Sequence, residues 1–321
     1  MVNSSSCRSC DGRAARIQAF GTEFPVKALR CSPDGVHYEP KRNLRHLQIT
    51  LCPTFRCAGS CPFCAAAPDR DRPGRLDPAR TERLLRRLKE EDLVRGVDFS
   101  GGEPLADAAL LDELVELVFS VLGRETEVSI HTNGANLDQL LRIRSLPWID
   151  AIHISRHHYD DQRNRRLFGC AVPDGAALRE IARAVPFREQ LVFNCVLLRD
   201  EIGSPEEAHR FLDFALDVGV PKTGFITVMP VNDYARAQRV PYQEVLRPDD
   251  PALLFTRRFY DGVICSCADG VYAAEDGRVT EFYGRGTCPG DPGYARGLVF
   301  TPDHVLRAGF GGPVILREEM L

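Results

Sequence analysis

The sequence predicts an α/β fold, a partial (β/α)6 barrel of TIM type, and three observations carry that expectation. From about residue 47 short β-type runs alternate with helical patterns, the order expected of repeated βα units around a parallel sheet. Six such units follow one another, fewer than the eight of a closed ring. The strands also carry polar groups on one face, where an ordinary parallel strand buried on both sides reads apolar throughout. The barrel is expected over 47–230, with a short N-terminal segment at 1–46 and a small cysteine-bearing extension at 231–321.

Strands are expected near 47–52, 96–100, 126–132, 148–155, 190–197 and 222–229, and helices near 78–91, 106–122, 136–145, 174–184 and 204–218. On the first strand Leu47, Ile49 and Leu51 alternate with Gln48, Thr50 and Cys52. The second sets Val97 and Phe99 against Asp98 and Ser100, and the third sets Val128 and Ile130 against Ser129 and His131. The fourth opposes Ile152 and Ile154 to His153 and Ser155, and the fifth opposes Phe193, Cys195 and Leu197 to Asn194. In the helix near 106–122, Leu110, Leu111, Leu114, Leu117, Val118 and Val121 form one stripe. Such helices cover the apolar strand face, so the polar face lines a cavity; a half-exposed sheet with water on its polar side gives the same alternation.

Composition narrows the function classes. The 321 residues are 44% hydrophobic and 27% charged with net charge −4, values of a soluble globular protein with no reason to bind nucleic acid. The longest apolar segment, 108–122, is broken by Asp112, Glu113 and Glu116, so no membrane span is expected, and the start lacks a basic-then-apolar signal pattern. Twelve cysteines are too sparse for a disulfide scaffold, and a reduced cytoplasmic setting fits them.

Three of those cysteines, Cys57, Cys61 and Cys64, fall in one short loop that Gly59 and Pro62 turn away from helix. Soft thiolates in such a loop suit an iron–sulfur cube. An electron-carrying cube takes four cysteines, and this loop offers three. Cys52 has the wrong spacing for the fourth, because a ferredoxin pattern beginning there needs a cysteine where Ser60 stands. The bland alternative is a stripe of three buried thiols packing as small hydrophobes.

The spacing Cys57-x3-Cys61-x2-Cys64, with Phe63 before the last thiol, resembles the signature of the radical S-adenosylmethionine enzymes. The resemblance implies a 4Fe–4S cluster whose open iron chelates S-adenosylmethionine, reductive formation of a 5′-deoxyadenosyl radical, and a flavodoxin- or ferredoxin-type electron donor. Ser100-Gly101-Gly102-Glu103-Pro104 resembles the family's Gly-Gly-Glu-Pro element, which implies that Gly101, Gly102 and Glu103 hold the methionyl ammonium. His131-Thr132-Asn133-Gly134 resembles its Thr-Asn-Gly turn, and Ser155 stands where the family presents a polar contact to the cofactor. Asn194 is a candidate for the ribose; each of these is otherwise a turn former or a satisfied polar residue.

The loop after the fourth strand carries Arg156 and His157, which with His131 are candidate substrate contacts, the guanidinium for a phosphate or carboxylate. A solvated loop and charged helix is the other reading. Cys170 is a candidate hydrogen-atom donor, whereas Cys195 reads as a packing thiol. Beyond residue 230, Cys265, Cys267 and Cys288 resemble a degraded SPASM or twitch extension, similar also to the molybdopterin-precursor cyclases, and imply a second iron–sulfur cluster; Phe282 stands where the SPASM pattern needs a cysteine. Cys7 and Cys10 make a two-residue-gap knuckle without an obvious mate, and Cys31 stands alone. The leading expectation is an enzyme abstracting hydrogen from a polar small molecule in natural-product or cofactor biosynthesis. A peptide maturase is the second enzyme reading, and a non-catalytic cluster carrier or zinc-stabilised module the third.

Overall fold

The computed structural model describes residues 14–27, 47–70, 72–185, 188–220, 222–246, 250, 254–257, 270–273, 279–283, 297–309 and 312–317. Cys7, Cys10, Cys31, Cys265, Cys267 and Cys288, and with them the expected knuckle and second cluster, lie outside the described residues.

The described residues open with a hairpin of β1 (Ala14–Ala19) and β2 (Thr22–Lys27), inside the N-terminal segment for which the sequence predicts no strand. Phe20 and Gly21 form its tip with φ of 54° and 70°, the geometry of a tight two-residue turn. Six parallel strands follow as expected: β3 (Leu47–Leu51), β4 (Val94–Phe99), β5 (Glu127–Thr132), β6 (Ala151–Ser155), β7 (Leu191–Leu197) and β8 (Lys222–Thr227), paired in that order. Their apolar faces, including Ile49, Val97, Phe99, Ile130, Ile152, Phe193 and Phe225, are fully buried. The alternate residues of β3, β5 and β6 stay partly accessible, as a lined cavity requires.

The helices that cover the outer face are α1 (Pro78–Glu90), α2 (Ala108–Leu122), α4 (Gly175–Ala184) and α5 (Pro205–Val218), whereas α3 (Asp161–Phe168) packs its Leu167 with Phe63 beside the three-cysteine loop. Each begins at a side chain accepting a first-turn N–H: Asp77, Asp107, Asp160, Asp174 and Ser204. Phe20 packs under the Arg87 guanidinium of α1, 5.0 Å from ring centroid to cation, which seats the hairpin. Two short helices, α6 (Asp233–Gln238) and α7 (Tyr242–Val245), come after β8.

The expected helix at 136–145 is instead two short 3-10 turns, Leu137–Arg142 and Leu146–Trp148. Pro147 disfavours α geometry at Leu146, and the Arg144 N–H donates to the Asp112 carboxylate (3.0 Å) instead of to a helical carbonyl.

The region beyond residue 230 joins the same sheet at both ends. β9 (Leu254–Arg257), β10 (Gly270–Ala273) and β11 (Val279–Tyr283) extend it past β8, with β11 parallel to β8. β12 (Leu298–Phe300), β13 (Leu306–Arg307) and β14 (Val314–Leu316) extend it past β3, with β12 parallel to β3. The twelve strands form one open sheet, β14-β13-β12-β3-β4-β5-β6-β7-β8-β11-β10-β9. No helix among the described residues is long and apolar enough to cross a membrane.

Candidate active site at the carboxyl ends of the strands

The three-cysteine loop leaves the end of β3 and is pinned on three sides. Toward β4, Ser100 donates its N–H to Leu51, Gly102 to Thr54 (3.2 Å) and Glu103 to Arg56 (2.8 Å), so strand pairing continues into the loop. Only glycine fits at 102, because an added Cβ would lie 2.5 Å from the Arg56 carbonyl and 2.6 Å from that of Thr54. Toward α3, Ser60 donates its N–H to the Phe168 carbonyl (2.6 Å), and Gly169, at φ +65°, ends the helix where any Cβ would strike the Ser60 hydroxyl. Toward β5, the Asn133 Nδ2–H donates to Cys57 Sγ (3.4 Å), which also takes the Gly59 N–H (3.3 Å).

Glu103 holds Asn133 in place. Its carboxylate is 2% exposed and accepts the Asn133 N–H (2.7 Å), the Thr132 hydroxyl (2.6 Å) and the Leu105 N–H (3.0 Å). Three of about four acceptor sites are therefore used within the chain, and burial pushes its pKa up. Phe63 is buried against Cys61, Leu167, Leu198 and Val228, and Asn232 donates to the Pro62 carbonyl (2.8 Å), fixing the turn between the second and third thiols.

Cys57, Cys61 and Cys64 are half-buried. Burial raises the Cys57 thiol, and burial together with the charges of Cys64, Cys57 and Cys170 pushes Cys61 up to about 12. Among the described residues no group of three His, Cys, Asp or Glu side chains is placed to hold a single metal ion. The donor set at the loop is three soft thiols with N–H groups already aimed at one sulfur, which fits a thiolate-held cluster. Cys52 is 2% exposed, lies against Gly101 and is pushed up to about 12 by burial. Cys170 lies within electrostatic reach of Cys57 and Cys61, so the fold brings this fourth thiol to the loop. Cys195 is buried on the outer face.

Two candidate substrate contacts are placed differently. Arg156 is 1% exposed and its guanidinium donates to the carbonyls of His158 (2.7 Å), Pro173 (3.0 Å) and Tyr159 (3.0 Å) and to Asp161 (2.5 Å), over the Phe214 ring. Those contacts clamp the β6–α3 turn and leave it no fork for a substrate anion. His157 is buried between Phe63 (5.1 Å) and Phe168 (4.9 Å), its Nδ1 accepting the Val196 N–H (3.2 Å). Burial pushes it down to about 3, so it is a neutral packing ring behind the cysteine loop.

The polar strand face converges below this loop. Gln48 Nε2 donates to Asp98 Oδ1 (3.0 Å), and the Ser129 hydroxyl donates to the same oxygen. His131 Nε2 lies 3.2 Å from Ser129 Oγ and its ring stacks on His153 at 4.4 Å. Asn194 joins the two rings, its Oδ1 3.3 Å from His153 Nδ1 and its Nδ2 3.5 Å from His131 Nδ1. Asn194, a candidate ribose contact, is therefore engaged by both histidines. Ser155 ends β6 beside Asn194 in register and stays partly accessible. Asp98, Ser129 and His153 were not among the expected site residues, although their alternation along the strands carried the signal.

A sequence model of the family described as the radical SAM superfamily matches residues 51–238. The chain is 30% identical over 181 residues to the PqqA peptide cyclase of Granulibacter bethesdensis, covering 54% of this chain and 45% of that protein. It is 27% identical over 161 residues to a probable GTP 3′,8-cyclase of Thermococcus kodakarensis, 49% of each chain. The chain thus spans about half the length of these curated relatives. In fold it is similar to SuiB of Streptococcus suis bound to S-adenosylmethionine, with a TM-score of 0.55 at 15% identity over 82% of this chain and 60% of that one.

Proposed function

The chain belongs to the radical SAM superfamily, and from that premise we propose that it is an enzyme that cleaves S-adenosylmethionine reductively and abstracts hydrogen from a polar substrate held inside the barrel. The observation that carries this reading is the three-thiol loop seated at the carboxyl ends of the strands, directly above a polar interior. When bound, the 4Fe–4S cluster and S-adenosylmethionine supply a 5′-deoxyadenosyl radical to the substrate's C–H bond.

The chain's own residues do the rest. Cys57, Cys61 and Cys64 would give up their protons to ligate iron, and the raised pKa values of Cys57 and Cys61 make that step favour higher pH. The Gly59 and Asn133 N–H groups withdraw charge from the Cys57 sulfur. Gly101 and Gly102 let the backbone of the β4 turn lie against Cys52 and the Thr54 and Arg56 carbonyls, and in the family's pattern this turn would hold the cofactor's ammonium group. The barrel wall excludes water from the reacting carbon. Cys170 stays a candidate hydrogen donor, being near the loop and protonated because burial, then Cys57 and Glu103, raise its pKa.

The substrate is a polar small molecule of natural-product or cofactor biosynthesis, with the electron supplied by a flavodoxin- or ferredoxin-type protein. A peptide substrate is the second reading, favoured by the relative named as a peptide cyclase. Anaerobic reconstitution followed by dithionite reduction tests the core claim: 5′-deoxyadenosine is expected from the native chain and none from Cys61→Ala. A native holoprotein that yields no 5′-deoxyadenosine overturns it.

A further inference from the structure

The hydrogen bonds below the cysteine loop run in one direction. Ser129 has one hydroxyl hydrogen, and it goes to Asp98 Oδ1, so Ser129 Oγ accepts from His131 Nε2–H. His131 Nδ1 is then the acceptor for Asn194 Nδ2–H, which turns Asn194 Oδ1 to accept from His153 Nδ1–H. This fixes both tautomers. Oδ1 of Asp98 takes Gln48 and Ser129, and lies 3.7 Å from His131 Nε2, whereas Oδ2 has no partner among the described residues. His153 keeps its Nε2 lone pair. Apart from the second amide hydrogens of Gln48 and Asn194, the network uses its donors internally and presents acceptors.

Asp98 and His131 each keep about a quarter of their side-chain surface accessible, 24% and 26%, on the face turned from the helices. A carboxylate in that position repels phosphates and carboxylates. Lys222, at the start of β8, is a single ammonium within electrostatic reach of His153, and the Arg156 guanidinium is engaged elsewhere. We infer that Asp98 Oδ2 and His153 Nε2 form a substrate-recognition floor that takes an uncharged or cationic group rich in O–H and N–H donors, a hydroxyl or amino group, and turns away anionic substrates. The inference rests on the proposed function, since it supplies the substrate class of that same barrel.

Hydroxyl and amino groups reach such a floor on a free polyol or on a peptide side chain, and the test has an arm for each. Reconstituted holoenzyme with S-adenosylmethionine is titrated calorimetrically with glucosamine and myo-inositol, with Gly-Ser-Gly and Gly-Lys-Gly, and with GTP as the anionic probe. At least one donor-rich probe is expected to bind, the arm that binds naming the source, with GTP giving no heat. Asp98→Asn is expected to weaken that binding about tenfold, the size of a lost charge-assisted hydrogen bond. His153→Phe keeps the ring stack but removes the Nε2 acceptor and should act in the same direction, which preserves the test if Asp98→Asn does not fold. Binding of GTP, silence from every donor-rich probe, or a dissociation constant unchanged in both variants overturns the inference. Dithionite-driven 5′-deoxyadenosine formation by the native holoenzyme without probe reports separately on the proposed function, so a failure of either is distinguishable.

Discussion

The Asn133 amide links a buried carboxylate to a metal-binding sulfur: Glu103 fixes its backbone and its side chain donates to Cys57. Losing an N–H donor to a ligand sulfur raises electron density on the cluster. Asn133→Ala is therefore expected to lower the cluster midpoint potential by about 60 mV, a tenfold change for a one-electron couple. An EPR-monitored redox titration reads the shift, and an unchanged midpoint removes the assigned role. His157 gives a second residue-scale expectation. Its folded pKa is depressed, so its contribution to stability is present above its ordinary value of 6.5 and is lost as pH falls toward about 3. Each unit of depression is worth about 1.4 kcal/mol. Melting temperatures of native chain and His157→Phe, followed from pH 7 to pH 4, should converge as the acid is reached, and parallel curves would count against it.

At the scale of elements, what was legible in the sequence depended on length and period. Five of the six parallel strands show in their alternation, because every second residue faces covering helices and must be apolar. The hairpin at 14–27 was not legible, since its two strands pair with each other in a sheet of their own, with Ala19 and Phe20 reaching the core among the described side chains. α3 is too short to express a stripe: Leu167 and Phe168 are its buried apolar residues, and the Asp160 cap and Gly169 stop define it instead. Arg156 misled for a physical reason, since a guanidinium after a strand end reads as an anion site until its donors are traced. Arg156→Ala leaves the buried carbonyl of His158 and the part-buried carbonyls of Tyr159 and Pro173 without their donor. It should destabilise the fold by about 3–5 kcal/mol, seen as a lower urea midpoint; a midpoint equal to the native value would return Arg156 to the substrate.

For the whole molecule, the cysteine triad and the Gly-Gly-Glu element were readable as spacings, and the interior polarity as alternation. The extension of the sheet past β3 by β12 was not, because a short apolar run such as Leu298–Phe300 carries no mark of its partner. That partner is β3, and the Cys52 N–H donates to the Phe300 carbonyl (2.9 Å), so the strand that launches the cysteine loop is framed on its second side by a segment made late in synthesis. A chain stopped before Leu298 is expected to retain less iron after reconstitution than the full chain, measured per protein on desalted samples. Equal iron in both would free the loop from that dependence. It follows that a ribosome presents the triad long before the last strand of its seat exists, so an inorganic core delivered before Leu298–Phe300 is made meets an unfinished cradle.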